Sequence, residues 1–138
     1  MNKKEAAQIL SILKAGYPNH YKNLTQEDAL GIVSMWSMQF ADMSAEVVLM
    51  ALNKAISVNK YPPTIAEVKE KIKSVHWEAY EMIEKHRNYN KLSAEELNAY
   101  KRIYDETQGY KFSNRIEPSI SNMIIGKKEV KQITERNE

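Results

Sequence analysis

Apolar residues recur at helical spacing along almost the whole chain. Ala6, Ile9, Leu10 and Leu13 fall on one face of a first predicted helix. Gly16 and the Tyr17-Pro18-Asn19 run stop it, because Pro18 has no N–H to continue the ladder and restricts Tyr17 before it. Thr25 is suited to cap a second helix, with Glu27 and Asp28 in its positive first turn. Ala29, Ile32, Val33, Trp36 and Phe40 share one face of that helix, and Met35 and Met38 widen the apolar arc. The width of the arc predicts that this is the most buried helix. Ser44 opens a third helix with Val48, Ala51, Leu52, Ala55 and Ile56 inward, and the Asn59-Lys60-Tyr61-Pro62-Pro63 run ends it.

The sharpest local signal follows. Thr64-Ile65-Ala66-Glu67 is a capping box, in which each side chain accepts from the other residue's backbone N–H. Pro63 lies just outside, where a missing N–H costs nothing. Ile65, Val68, Ile72, Val75, Ala79, Met82 and His86 then follow at alternating spacings of three and four, with no Gly or Pro before Asn90. A helix over residues 64–89 would be about 40 Å long. That exceeds what a small three-helix core covers, so its second half is expected to project, to dimerise or to receive the next helix. Ser93-Ala94-Glu95-Glu96 is a second capping box, opening a helix with Leu97, Tyr100 and Tyr104 inward that ends near Gln108-Gly109. Beyond it, residues 119–125 fit two helical turns, and residues 127–138 read as solvated. The fold class is therefore all-α: a small helical N-terminal domain with a long fourth helix, then a helical C-terminal extension.

Composition narrows the picture. Four Gly and four Pro in 138 residues are too few for the turns of an all-β protein. The net charge of +2 does not announce a nucleic-acid binder, and without cysteine there is no disulfide framework, thiolate zinc site or cysteine nucleophile. The longest uncharged stretch, residues 29–41, falls well short of the roughly 20 residues of a membrane span. No secretory leader pattern follows the N-terminus. All four Arg lie after position 86, and five of the eight Tyr lie in the C-terminal portion, as do Trp77 and Phe112. Arg, Tyr and Trp are enriched at protein interfaces, although these rings could equally pack the C-terminal helices.

No constellation points to catalysis. Gly126-Lys127-Lys128 lacks the rest of a phosphate-binding loop. His20, His76 and His86 do not have the spacing of a helical metal pair, and His76 beside Trp77 reads as a surface or packing residue. The acid pairs Glu27-Asp28, Glu95-Glu96 and Asp105-Glu106 are sequence neighbours, so their side chains point about 100° apart on a helix. No catalytic residue, metal ligand or cofactor is expected. Lys54 and Lys60, and Lys69, Lys71 and Lys73, make two helices mildly basic, but Glu67 and Glu70 dilute the stripe, and solvated lysine is the simpler reading than DNA contact.

Ile9-Leu10, Ala15, Tyr17-Pro18, Trp36 and Tyr61-Pro62-Pro63-Thr64-Ile65-Ala66-Glu67, in this order, resemble the bacteriophage loaders of the hexameric replicative helicase, over about residues 3–75. The resemblance implies residues 1–75 as a helicase-loader-like domain and residues 76–138 as a variable, partner-binding extension and tail. It implies a protein that binds a hexameric replicative helicase, restrains it, and helps load it through an origin-binding initiator. No nucleotide, membrane or direct nucleic-acid binding is implied, and the location is the cytoplasm of the bacterial host. Tyr17, Pro18, Trp36, Pro62, Pro63, Thr64 and Glu67 match the family pattern, and physically they read as builders of the domain. The helicase-facing candidates are Trp77, Tyr80, Ile83, Tyr100, Arg102 and Tyr104, with Ile120, Met123, Ile124 and Ile125 as a short segment that could fold into a groove. A small phage DNA-binding regulator and an inhibitor of host helicase loading are the competing readings, and a homodimer through the long stripe stays open.

Overall fold

The computed structural model describes residues 1–110. Six α-helices follow one another: α1 (Lys3–Gly16), α2 (Pro18–Tyr21), α3 (Gln26–Gln39), α4 (Ala45–Ile56), α5 (Ile65–Tyr89) and α6 (Ala94–Glu106). A 3₁₀ turn at Gln108–Tyr110 closes the series, and there is no strand among the described residues. The fold is all-α, as the periodicity predicts. The candidates Ile120, Met123, Ile124 and Ile125 lie outside the described residues.

Each of the five longer helices begins on a side-chain cap. Thr25 Oγ1 accepts from the Asp28 N–H at 3.0 Å and Ser44 Oγ from the Val47 N–H at 3.3 Å. Thr64–Glu67 and Ser93–Glu96 close as full capping boxes. A third box, Asn2 with Glu5, starts α1. Its Asn-x-x-Glu pattern is a helix-start signal that the apolar face of α1 alone does not reveal. α5 ends at Asn90, whose φ of 53° and ψ of 49° are left-handed. Asparagine adopts that conformation more readily than other residues with a Cβ. The turn is closed by Asn90 N–H donating to His86 O at 2.7 Å and Leu92 N–H donating to His86 Nδ1 at 3.1 Å. His86, on the apolar stripe in sequence, is thus a turn-forming residue in space.

The Tyr17-Pro18 stop also behaves differently from a plain break. Tyr17 ends α1, but Pro18 begins a new single turn, α2, from its first position. A proline there loses nothing, because that N–H has no partner in any helix. The long helix is consequently the fifth in the chain, not the fourth.

One apolar cluster runs from Ala6, Ile9 and Leu13 through Trp36 and Phe40 to Val68, Ile72, Val75, Ala79 and Ile103. α5 is its spine: α4 packs on it and α6 folds back along it, while α1 packs on α3 and more lightly on α4. The second half of α5 therefore receives the next helix, one of the three outcomes its length allowed. α4 is the most buried element, with Val47, Val48, Ala51, Leu52 and Ala55 all inaccessible. The expectation that α3 would hold that place is overturned. Trp36 is the only buried residue within α3, and Leu30, Met35 and Met38 stand exposed. Apolar residues all round a helix can be buried only if neighbours exist on all sides, and α3 rests chiefly on α1.

Candidate functional site

Four rings meet where α5 and α6 run side by side. His76 is fully buried and stacks on Tyr104 with centroids 4.6 Å apart and planes at 22°. Trp77 meets His76 edge-on at 5.0 Å, and Tyr80 meets Trp77 edge-on at 5.6 Å. Tyr80 also lies 6.1 Å from Tyr104. These are the offset and T-shaped arrangements in which the ring quadrupoles attract. The spacing explains the set: residues 76, 77 and 80 lie within little more than one turn of α5, and Tyr104 comes from the facing turn of α6.

The histidine is held by a polar relay. Thr107 Oγ1 donates to Ile103 O at 2.7 Å, which uses its one proton. The 2.9 Å contact between Thr107 Oγ1 and His76 Nδ1 then needs its proton from the imidazole, so Nδ1 is the protonated nitrogen. A buried, hydrogen-bonded, ring-stacked histidine fixes the crossing of α5 and α6. Of the two sequence readings, packing is the observed one.

The six C-terminal candidates on described residues separate by exposure. Tyr80 is the outermost of the rings, at 41%. Trp77, Ile83, Tyr100 and Tyr104 are half-buried, and Tyr100 and Tyr104 pack on the core cluster. Arg102 is exposed and reaches Glu46 of α4 at 3.6 Å, while Lys54 of α4 meets Glu78 of α5 at 2.5 Å. The Arg102–Glu46 pair is exposed and the Lys54–Glu78 pair partly so, and solvent-screened pairs of this kind contribute little to stability. Near the far end of α5, Met82, Lys85, Tyr89, Lys91 and Leu92 line a cleft of about 340 Å³.

The family-pattern residues form a second group at the opposite end of α5. Pro63 is buried, and Glu67 Oε1 accepts both from the Thr64 N–H at 2.9 Å and from Asn59 Nδ2 at 3.2 Å. Tyr17 Oη donates to Asn59 O at 2.9 Å and so ties the α1–α2 corner to the loop before α5. Trp36 and Phe40 pack 5.6 Å apart in the core cluster. Tyr17 and Pro18 on one side and Tyr61 and Pro62 on the other line a cleft of about 390 Å³, which His20 and Lys60 also line. Sequence reasoning missed this cleft. The two Tyr-Pro pairs lie far apart in sequence, and nothing in either announces the other. Burial, and then the neighbouring Tyr17, hold the Tyr21 phenol above its ordinary pKa.

No group of acidic and histidine side chains among the described residues could hold a metal ion. No helix among them is long and apolar enough to cross a membrane. No curated protein and no solved structure matches the chain. One family does match. Residues 1–69, half of the chain and the part holding Tyr17-Pro18, Trp36 and Pro62-Pro63-Thr64, fit the family of the N-terminal domain of the phage SPP1 helicase loader. On that match, the chain belongs to the family of phage helicase loaders.

Proposed function

We propose that the protein binds a hexameric replicative helicase through the α5–α6 end, restrains it, and gives it up to an origin-bound initiator. The family is one of non-catalytic accessory proteins, so the work has to be done by contact. In this reading residues 1–75 are the scaffold and residues 76–138 the partner-binding part. The observation that carries it is the aromatic ladder at the α5–α6 crossing. Tyr80, 41% exposed, rests on Trp77 and Tyr104, and both in turn rest on the buried His76. A ring held by other rings loses little conformational freedom when a partner covers it, which is what makes a strong interface anchor.

The mechanism is a shift of populations. A loader changes the state of a helicase ring only by the difference in its affinity for the two states. A tenfold bias needs about 1.4 kcal/mol, within the reach of one or two buried aromatic anchors. Release then follows when the initiator competes for the same surface or stabilises the other ring state.

The test is binding of the full chain to the helicase by size-exclusion chromatography and titration. Tyr80→Ala should weaken the complex about tenfold or more without unfolding the chain. A chain ending at Tyr110 should bind more weakly if Ile120, Met123, Ile124 and Ile125 contribute. Undiminished binding by that shortened chain removes the tail from the proposal. Steeply salt-dependent binding of the isolated chain to DNA, with none to the helicase, would replace the proposal with a DNA-binding regulator.

A further inference from the structure

The outward side of α3 is the largest mismatch between sequence and surroundings. Leu30 is 62% exposed, Met35 48% and Met38 66%. At about 100° per residue, these three and Gly31 fall within one arc less than half the helix circumference. The opposite side, with Ala29, Ile32, Val33 and Trp36, is turned toward the molecule. Large apolar side chains gathered on one exposed helix face are uncommon unless something covers them.

Gly31 lies in the middle of that face. Its backbone is helical, and a Cβ placed there would meet nothing within 4 Å. No internal contact requires the glycine, although glycine is the poorest helix former after proline. What a missing side chain does provide is a notch into which another backbone can come close.

Charge then discriminates between occupants. Residues 23–53 contain four acids, Glu27, Asp28, Asp42 and Glu46, and no Lys or Arg, in a chain whose net charge is +2. Glu46 is engaged with Arg102, whereas Glu27, Asp28 and Asp42 are exposed about the two ends of α3. Lys69 reaches the C-terminal end of α3, and its ammonium is held by Gln39 Oε1 at 3.1 Å and over the Phe40 ring. A second copy docked through the same face would bring acidic rims together. A helix with an apolar stripe flanked by Lys and Arg meets complementary charge, and unbranched methionine adapts to such a stripe.

We propose that the Leu30–Gly31–Met35–Met38 face of α3 is a second docking surface, taking a basic amphipathic helix of the helicase. The inference rests on the helicase-binding reading and adds to it a surface on the scaffold part of the chain, apart from the α5–α6 anchors. The two surfaces together would clamp the helicase at two points and make release depend on either.

The experiment measures affinity of the full chain for the purified hexameric replicative helicase encoded by the same phage genome, with melting temperature and mass by light scattering recorded for every variant. Leu30→Glu and Met38→Glu should each weaken binding about tenfold or more, with melting temperatures within about 2 °C of the parent. Gly31→Ala should raise the melting temperature by a few degrees and still weaken binding, a pairing that a purely structural glycine does not give. Undiminished binding by all three variants, with Tyr80→Ala still defective, overturns the α3 surface and leaves the helicase reading standing. A parent chain that does not bind the helicase overturns both. A parent dimer that Met38→Glu splits into monomers assigns the face to a second copy and overturns the proposal.

Discussion

α3 and α4 are neighbours in sequence and similar in length, and both carry large apolar residues, yet they live in different surroundings. α4 lies between α1 and α5 and hides five side chains completely. α3 leans on α1, hides Trp36 and leaves Leu30, Met35 and Met38 in water. Composition and periodicity describe a helix's own faces, and burial depends on how many other helices arrive. α4 is therefore a stability element, and the spare face of α3 is available for binding.

The largest effect that tests this contrast is a cavity. Leu52→Ala in α4 should cost about 2–5 kcal/mol, read from urea unfolding, whereas Met38→Ala in α3 should stay within about 0.5 kcal/mol. Equal losses at the two sites would erase the distinction. Loss of the Thr25 cap is next. Thr25→Ala should cost about 1 kcal/mol, and because α3 has one main neighbour, its amides should exchange with solvent well before those of α4, by local opening. Simultaneous exchange of the two helices would mean that they open as one unit.

The smallest effect is alkaline. Tyr21 is raised by burial and then by Tyr17, and Tyr110 by burial and then by Asp42. A phenol whose pKa is higher in the folded state contributes stability that is fully present below its unfolded value near 10 and is lost as pH rises through the folded value. Unfolding monitored above pH 10 should therefore show a decline that Tyr21→Phe and Tyr110→Phe reduce. A decline of the same size in both variants would assign it to other groups.

Much of the fold was legible because its signals are local. The Thr64–Glu67 and Ser93–Glu96 boxes and the 3-4 stripe from Ile65 to His86 use residues a turn apart, and they set α5 and α6 to within a residue or two. Burial of α3 was not legible, since it is set by partners distant in sequence. The single turn at Pro18 escaped for a subtler reason: the proline that ends one helix is also a favourable first residue for another. At the functional sites the same division holds. Trp77 and Tyr80 are near neighbours on one helix, so their grouping could be read from the sequence. The stacking of Tyr104 on His76, the Thr107 relay behind it, and the cleft shared by Tyr17-Pro18 and Tyr61-Pro62 arise from long-range packing that no spacing encodes.

Hydrogen exchange of the full chain, free and with saturating helicase, tests the central claim most directly. Contact through the α5–α6 end predicts slowed exchange across the second half of α5 and along α6, centred on residues 77–104, with α4 unchanged because it is already buried. Unaltered exchange across that region, in a chain shown to be bound, would contradict the account.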